Sequence, residues 1–362
     1  MTSIISSIGT ATPEHHLTQK QISSFMAEAL EMDEDQRHQL EVLYRASGIQ
    51  SRYSVLPDFG AHREQYEFFS KENGLEPFPT VGDRMNLYQR EALPLAVKAI
   101  ADMNRNLDGI THLVTVSCTG MYAPGLDIQL IEELDLPTTI HRTAINYMGC
   151  YAAFNALKLA DSFCQNNSTA KVLIVCLELC SIHFQKHNDE DTMLANALFG
   201  DGAAAVMVES KSEGLGLSLE HFHCDIVPSG KKDMAWQISD FGFEMKLSSY
   251  VPEIIKGGIH SLTKSLLGHL GMARKDIDLF AIHPGGKRIL QVIEEELSMS
   301  KEDNQHAYDV LRECGNMSSP TVLFVLRQLM NSLSEGDQDK NILSFAFGPG
   351  LTLESMLLKV KC

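Results

Sequence analysis

The chain has 362 residues, 44% of them hydrophobic and 21% charged, which suits one large globular domain or two fused layers. The formal net charge is −17, and no run rich in lysine or arginine offers a contact surface for a phosphate backbone, so we expect no nucleic-acid binding. Without a stretch of about 18 to 20 apolar residues or a secretory pattern at the N-terminus, we expect a cytosolic protein with no membrane insertion.

Strand patterns and helical patterns alternate along most of the chain. Residues 56–83 have no clear pattern and are interpreted as a surface excursion. Short apolar runs then predict strands at 113–117, 172–176 and 203–208, and helical spacing predicts helices near 126–134 and at 151–164. This alternation indicates an α/β fold.

The second half repeats this order of elements. It contains predicted strands at 279–282, 342–347 and 351–358, and predicted helices at 252–268, 286–297 and 319–333. We therefore predict two similar halves, 1–213 and 214–362, with a break near Lys211 to Leu215.

The eight cysteines are scattered, and none forms a CxxC pair. Several end apolar strand patterns, as Cys176 does in VLIVC, so most are expected to be buried reduced thiols. This distribution predicts neither a disulfide framework nor a metal site.

Cys150 lies in NYMGCYAAF, between the turn-forming Gly149 and an alanine-rich helical pattern. A thiol at a helix N-terminus is exposed to free backbone N–H groups, which favour the reactive thiolate. In isolation, however, a cysteine at such a place is more often a packing residue than a nucleophile.

Two further polar residues stand beside tight turns. His283 directly follows the strand pattern LFAI and precedes Pro284, at a strand's carboxyl end where α/β active sites form. Asn316 lies in GNMSSP, just before an apolar helical pattern, where helix capping is the ordinary role. The glycine-rich runs 198–210 and 345–358 lack phosphate-binding spacing, so no nucleotide cofactor is expected.

Seven segments, taken in order, resemble the chalcone synthase family of type III polyketide synthases. They are IGTATPEH (8–15), GITHLV (109–114), GCYAAFNALKLA (149–160), ALFGDGAAA (197–205), IHPGGKRIL (282–290), GNMSSPTVLFVL (315–326) and FGPGLTLE (347–354). The resemblance implies a thiolase fold, a duplicated five-layered α/β/α/β/α arrangement, and a homodimer.

The resemblance also implies the chemistry. Cys150 is expected to carry the acyl group, while His283 and Asn316 bind the thioester carbonyl and stabilise the enolate left by malonyl decarboxylation. The expected substrates are an acyl thioester and malonyl-CoA, with no cofactor and no metal. The condensation can repeat before the product cyclises.

The same resemblance implies a substrate pocket and a donor entrance. The pocket residues are expected to be Cys118, Thr119, Ala123, His183, Phe199, Met245, Ser318, Gly348 and Pro349. Phe199 matches a gatekeeper, whereas Met245 stands where a second gatekeeper phenylalanine is usual and Ala123 where a methionine reaches the partner subunit. Around the expected coenzyme A entrance only Arg45 and Arg52 are basic, so a carrier-protein donor stays an alternative to acyl-CoA.

Three other functions remain open on the sequence alone. A single-condensation enzyme resembling ketoacyl-carrier-protein synthase III uses the same residue types, but its histidine motif typically reads HQAN rather than HPGG. A papain-like hydrolase has the order Cys, His, Asn but a CGSCW motif that is missing around Cys150. A non-catalytic acyl-binding scaffold is the third.

Overall fold

The computed structural model describes residues 2–210 and 214–362. The strands of its first half are β1 (Ser3–Ala11), β2 (His15–Thr18), β3 (Ser51–Ser54), β4 (His112–Ser117), β5 (His141–Asn146), β6 (Lys171–Leu179) and β7 (Asp201–Glu209). The helices are α1 (Gln19–Ala29), α2 (Glu34–Ala46), α3 (Val81–Asp102), α4 (Leu126–Glu133), α5 (Ala152–Asn166) and α6 (Glu190–Leu198).

The second half continues the same mixture of elements. Its strands are β8 (Gly216–Ile226), β9 (Met234–Ser239), β10 (Gly242–Leu247), β11 (Leu279–Ile282), β12 (Asn341–Gly348) and β13 (Thr352–Lys361). Its helices are α7 (Val251–His269), α8 (Lys287–Leu297), α9 (Gln305–Cys314) and α10 (Thr321–Ser332).

Nine strands pair in the order β11-β12-β13-β8-β1-β7-β6-β4-β5. Five of them come from the first half and four from the second, and the two groups meet where β1 and β8 pair over only three residues of β1, Ser3–Ile5. Helices α5 and α10 contact strands of both groups. On the outer faces, α3 packs on the first group and α7 on the second. The five-layered arrangement expected from the sequence is confirmed.

The central helices can approach the sheet because of their composition. Ala152, Ala156 and Ala160 of α5 are fully buried, and such small side chains bring the helix axis close to β4, β6 and β7. Strand β6 is buried along nearly its whole length, as a strand covered on both faces should be. The N-terminal ends of α5 and α10 are thereby held inside the molecule.

The predicted elements named above are all present, with small shifts at their ends. The patternless stretch from residue 56 contains short 3₁₀ turns, and α3 begins at Val81. The predicted break between the halves falls on residues 211–213, which lie outside the described residues.

Candidate active site

Cys150, His283 and Asn316 line one small cavity of about 20 Å³. Cys150 lies in the 3₁₀ turn Gly149–Tyr151 that leads into α5. His283 directly follows β11, and Asn316 lies between α9 and α10. The three residues are 133 and 33 positions apart along the chain, and the packing of the two halves brings them together.

The turn that carries Cys150 is fixed by close backbone contacts. Gly149 has φ +80°, and a Cβ on it would lie 2.2 Å from Cδ of Pro349. Its N–H group donates to Sγ of Cys118 at 2.9 Å. A Cβ on Gly348 would in turn meet the ring of Tyr151 at 2.6 Å. Only glycine fits at position 149, because the backbone has a positive φ and an added Cβ would collide with Pro349.

We expect Gly149→Ala to destabilise the protein by about 1–3 kcal/mol and to reduce activity, because both the positive φ and the contact with Pro349 oppose a methyl group. Thermal unfolding and initial rates measure the two effects. Gly257→Ala is the control, since Gly257 lies within α7 with nothing within 4 Å of its added Cβ. That change should be neutral or slightly stabilising, and equal loss in both variants would contradict the assignment.

The backbone of Asn316 is anchored to the end of α6. Its N–H donates to the carbonyl of Leu198 at 2.9 Å, and its own carbonyl accepts from the N–H of Gly200 at 2.9 Å. The side-chain Oδ1 accepts from the Ser318 N–H at 2.8 Å, while Nδ2 and Oδ1 both lie 3.9 Å from Sγ of Cys150. The amide is therefore held beside the thiol.

His283 and His183 are both buried but differ in their partners. Both ring nitrogens of His283 are buried without a hydrogen-bond partner among the described residues. His183, by contrast, donates from Nε2 to the Thr119 carbonyl at 2.7 Å, and its Nδ1 accepts from the Phe243 N–H at 3.0 Å. It also stacks on Phe243 with 4.2 Å between ring centroids. His183 is thus a satisfied wall residue, whereas His283 is free to bind a substrate.

Burial sets the protonation of the catalytic pair. It raises the pKa of the Cys150 thiol to about 11, against hydrogen bonds from Ser318 and Asn316 that lower it. Burial likewise lowers the pKa of His283 to about 3. Without substrate, both groups are neutral near pH 7, which differs from the thiolate expected from the helix start alone. A reactive thiolate would therefore need a base that accepts the thiol proton.

A buried carboxyl group lies directly behind the cavity. Glu178 of β6 accepts hydrogen bonds from the Cys118 N–H at 2.8 Å, from Thr119 Oγ1 at 2.7 Å and from Ser319 Oγ at 2.7 Å. Burial raises its pKa to about 7. Sequence reasoning missed it, although one acidic residue inside the apolar strand VLIVCLEL was a usable signal, because buried charges are rare.

A larger pocket of about 390 Å³ adjoins the catalytic cavity. Phe199 and Met245 line both spaces and form the wall between them. Trp236, which pairs with Met245 across the β9–β10 hairpin, also lines the larger pocket and donates to the Cys118 carbonyl at 2.7 Å. Sequence reasoning missed this residue, the single tryptophan of the chain.

The remaining expected pocket residues occupy different places. Pro349 lines the catalytic cavity, and Gly348 and Ser318 are buried beside Cys150. Cys118 and Thr119 are buried behind the turn rather than in either pocket lining. Ala123 is exposed on the loop before α4 and is not among the residues that line the two spaces.

The two residues expected at the donor entrance differ in exposure. Arg45 is exposed near the end of α2, where a phosphate could reach it. Arg52 is only 4% exposed, and its guanidinium donates to the carbonyl of Phe199 and to Oε1 of Gln19. This burial contradicts a role for Arg52 in surface contact with donor phosphates, because its Nε and Nη1 donate inside the protein and the residue lines the larger pocket.

In residues 2–210 and 214–362, no group of three or more His, Cys, Asp or Glu side chains is arranged to hold a metal ion. Over the same residues, no helix is both long and apolar enough to cross a bilayer.

The two halves match family models. Residues 2–212 match the N-terminal domain of chalcone and stilbene synthases, and residues 218–361 match the C-terminal domain.

Individual relatives agree with this match. The chain is 31% identical over 99% of its length, and over 91% of the relative's, to the α-pyrone synthesis polyketide synthase-like Pks18 of Mycobacterium tuberculosis. Among solved structures, PKS-I of the brown alga Ectocarpus siliculosus has a TM-score of 0.90 at 30% identity, covering 99% of this chain and 98% of that one. The C-terminal type III polyketide synthase domain of Steely1 from Dictyostelium has a TM-score of 0.89 at 27% identity, covering 99% of both.

Proposed function

The chain belongs to the chalcone and stilbene synthase family, a group of condensing transferases, and on that premise we propose how its residues carry out polyketide synthesis. Cys150 accepts an acyl starter, and a malonyl thioester then extends it by decarboxylative Claisen condensation. The observation that carries the assignment is the pair of unpartnered ring nitrogens of His283, in the same cavity as Cys150 and Asn316.

Loading transfers the starter to Cys150. The Cys150 thiol gives its proton to one nitrogen of His283, and the sulfur attacks the starter's thioester carbonyl. The tetrahedral intermediate collapses to acyl-Cys150 as the donor thiolate leaves and takes the proton from His283. Formation of the thiolate against the burial that raises the thiol pKa requires this base within the same cavity.

Extension begins when the carbonyl group of a malonyl thioester enters the same cavity. Its carbonyl oxygen accepts hydrogen bonds from a ring N–H of His283 and from Nδ2 of Asn316. As CO₂ leaves, the bonding electrons form an enolate on that oxygen, and each donor contributes about 3–4 kcal/mol to its stabilisation. The enolate carbon then attacks acyl-Cys150 and releases the cysteine thiolate. The elongated thioester returns to Cys150 for another round.

The direct experiment is incubation of the protein with malonyl-CoA, or with a malonyl carrier protein, and a panel of acyl starters. We expect CO₂ release and products whose masses exceed the starter by successive two-carbon ketide units. A folded protein that yields no product with any starter would overturn the proposal. A single added unit in every case would instead favour the ketoacyl synthase III-like alternative.

Repeated extension needs more room than the catalytic cavity has. A space of about 20 Å³ holds little more than one water molecule. The growing chain must therefore pass the Phe199 and Met245 wall into the larger pocket, whose inner lining includes the apolar Ile22, Met26 and Phe184. Methionine has three rotatable bonds, so the Met245 side chain can change conformation and let the growing chain pass.

We expect Met245→Trp to shorten the longest product by at least one ketide unit, because indole would close the wall between the two spaces. Product masses from one starter give the measurement. Ile238→Trp is the control, since Ile238 lies on the same hairpin but is 56% exposed. An unchanged product range in a folded Met245→Trp enzyme would show that the chain grows elsewhere.

Coenzyme A is the donor form that this surface supports better than a carrier protein. Arg45 is exposed at the end of α2, and the stem of Lys287 at the start of α8 packs against Gly48 nearby, with its Cδ 3.1 Å from an added Cβ. Lys287 begins the helix that follows the His283 loop, and two exposed cations on this surface suit a small phosphate group.

A homodimer is also part of the proposal. Strand β5 is the last strand of the nine-stranded order, and among the described residues it pairs with β4 alone, which leaves its other edge open. The exposed residues of β5 include Arg142, Ala144 and Asn146. The large apolar side chain of Met121, in the loop before α4, is 50% exposed. An open edge of this kind favours pairing with a second copy. Sedimentation at the mass of a single chain would contradict the homodimer.

The cytosolic location stays a prediction.

A further inference from the structure

Arg52 lies between the two backbone segments that carry Phe199 and Asn316. Its Nη1 donates to the Phe199 carbonyl, and its Nε donates to Oε1 of Gln19 at 2.9 Å, while its buried Nη2 has no partner among the described residues. No carboxylate is within salt-bridge distance of it among the described residues. A buried cation without a paired anion is costly, so its surroundings must stabilise it in another way.

The end of α6 supplies that stabilisation. The final carbonyls of a helix have no partner within the helix and carry a partial negative charge. Here the Ala197 carbonyl accepts from Nε2 of Gln19 at 2.9 Å, that of Leu198 from the Asn316 N–H at 2.9 Å, and that of Phe199 from Arg52. Tyr44, whose ring centroid lies 5.9 Å from the guanidinium carbon, and the buried Asp201 add further stabilisation of the charge. Arg52 and Gln19 together act as the cap of α6.

The aliphatic part of Arg52 contacts the Asn316 segment from the same side. Gly315 has φ +67°, and a Cβ on it would lie 2.8 Å from both Cγ and Cδ of Arg52. Phe199 and Asn316 themselves pair as a short parallel bridge. One side chain thus supports the gate residue by a hydrogen bond and the catalytic loop by packing.

We propose that Arg52 is a positioning residue that sets the place of the Asn316 amide relative to Cys150, and the place of Phe199, by capping the end of α6. The inference rests on the proposed condensation function. Without the guanidinium, the Phe199 carbonyl loses its donor, and the α6 end shifts together with the Asn316 backbone bonded to it. The Asn316 amide, 3.9 Å from Sγ in the intact site, then no longer meets the enolate oxygen correctly.

The test is Arg52→Met, which keeps most of the stem and removes the donors. We expect kcat for condensation to fall at least tenfold, KM for malonyl-CoA to change less than threefold, and Arg52→Lys to recover part of the rate. A raised KM with unchanged kcat would restore the donor-entrance interpretation and overturn the proposal. Wild-type kcat per folded enzyme would overturn it as well.

Arg274→Met is the matched control. Arg274 donates from Nε to the carbonyl of Leu297, the last residue of α8, at 3.1 Å, so it also caps a helix end but does not contact the catalytic loops. It should lower the unfolding temperature and leave kcat unchanged. If Arg52→Met does not fold, Gln19→Met replaces it in the test, because this change removes the other half of the cap. We expect the same fall in kcat, at least tenfold. Wild-type enzyme without product would refute the proposed function itself, separately from Arg52.

Discussion

Replacing Cys150 by alanine is expected to abolish polyketide formation, with a loss of at least ~10⁴-fold in kcat, as is typical when a covalent nucleophile is removed. The acyl group then has no attachment point, and the enolate formed by decarboxylation has no electrophile to attack. CO₂ release from malonyl-CoA should persist, because His283 and Asn316 are still present. Product analysis measures the loss of polyketide, and intact-protein mass spectrometry measures the loss of the acyl adduct. An assay of CO₂ release measures the decarboxylation that should persist.

The control for this experiment is Cys164→Ala. Cys164 is fully buried near the far end of α5, the helix into which the Cys150 turn leads. Its replacement should change the unfolding temperature slightly and leave both the product and the adduct unchanged. An acyl adduct that survives in Cys150→Ala would place the nucleophile on another residue. Full biological activity of that variant would favour the scaffold alternative.

Replacing His283 by glutamine should reduce condensation by at least ~10³-fold, since it removes both the base that accepts the thiol proton and a donor to the enolate oxygen. Unlike the Cys150 variant, it should also lose CO₂ release. Alkylation of Cys150 by iodoacetamide at pH 7 should slow, because burial that raises the thiol pKa to about 11 is then unopposed by a base.

His112→Gln serves as the comparison. Burial also lowers the pKa of His112, but this histidine lies at the amino-terminal end of β4, away from the cavity. Its variant should retain condensation and alkylation rates. Retained CO₂ release in His283→Gln, at the wild-type rate, would assign decarboxylation to other groups.

Many strands and helices from β4 onward could be predicted from hydrophobic periodicity, because β6, β7 and α5 have long and unmixed apolar patterns. Periodicity was less informative where burial is partial. The elements that went unpredicted for this reason are β5, α6, β8, the β9–β10 hairpin and α9.

The catalytic trio could be found because each residue stands beside a turn motif that resembles the family pattern, and the structure brings the three together. Arg52 could not be placed in this way. Arg45, seven positions earlier, is exposed, whereas Arg52 is buried. The burial of Arg52 depends on contacts with the end of α6, which is distant in sequence. Glu178 and Trp236 likewise act through partners that only the packed chain supplies.

Cys150 and Asn316 stand at the starts of α5 and α10, helices that come from different halves of the chain. Neither half alone contains all three residues of the proposed site, so the proposed chemistry depends on how one half packs against the other. We therefore expect activity to fall as soon as the packing between the two halves is disturbed. Under mild denaturant we expect turnover to fail once the central layer loosens, while most secondary structure is still present.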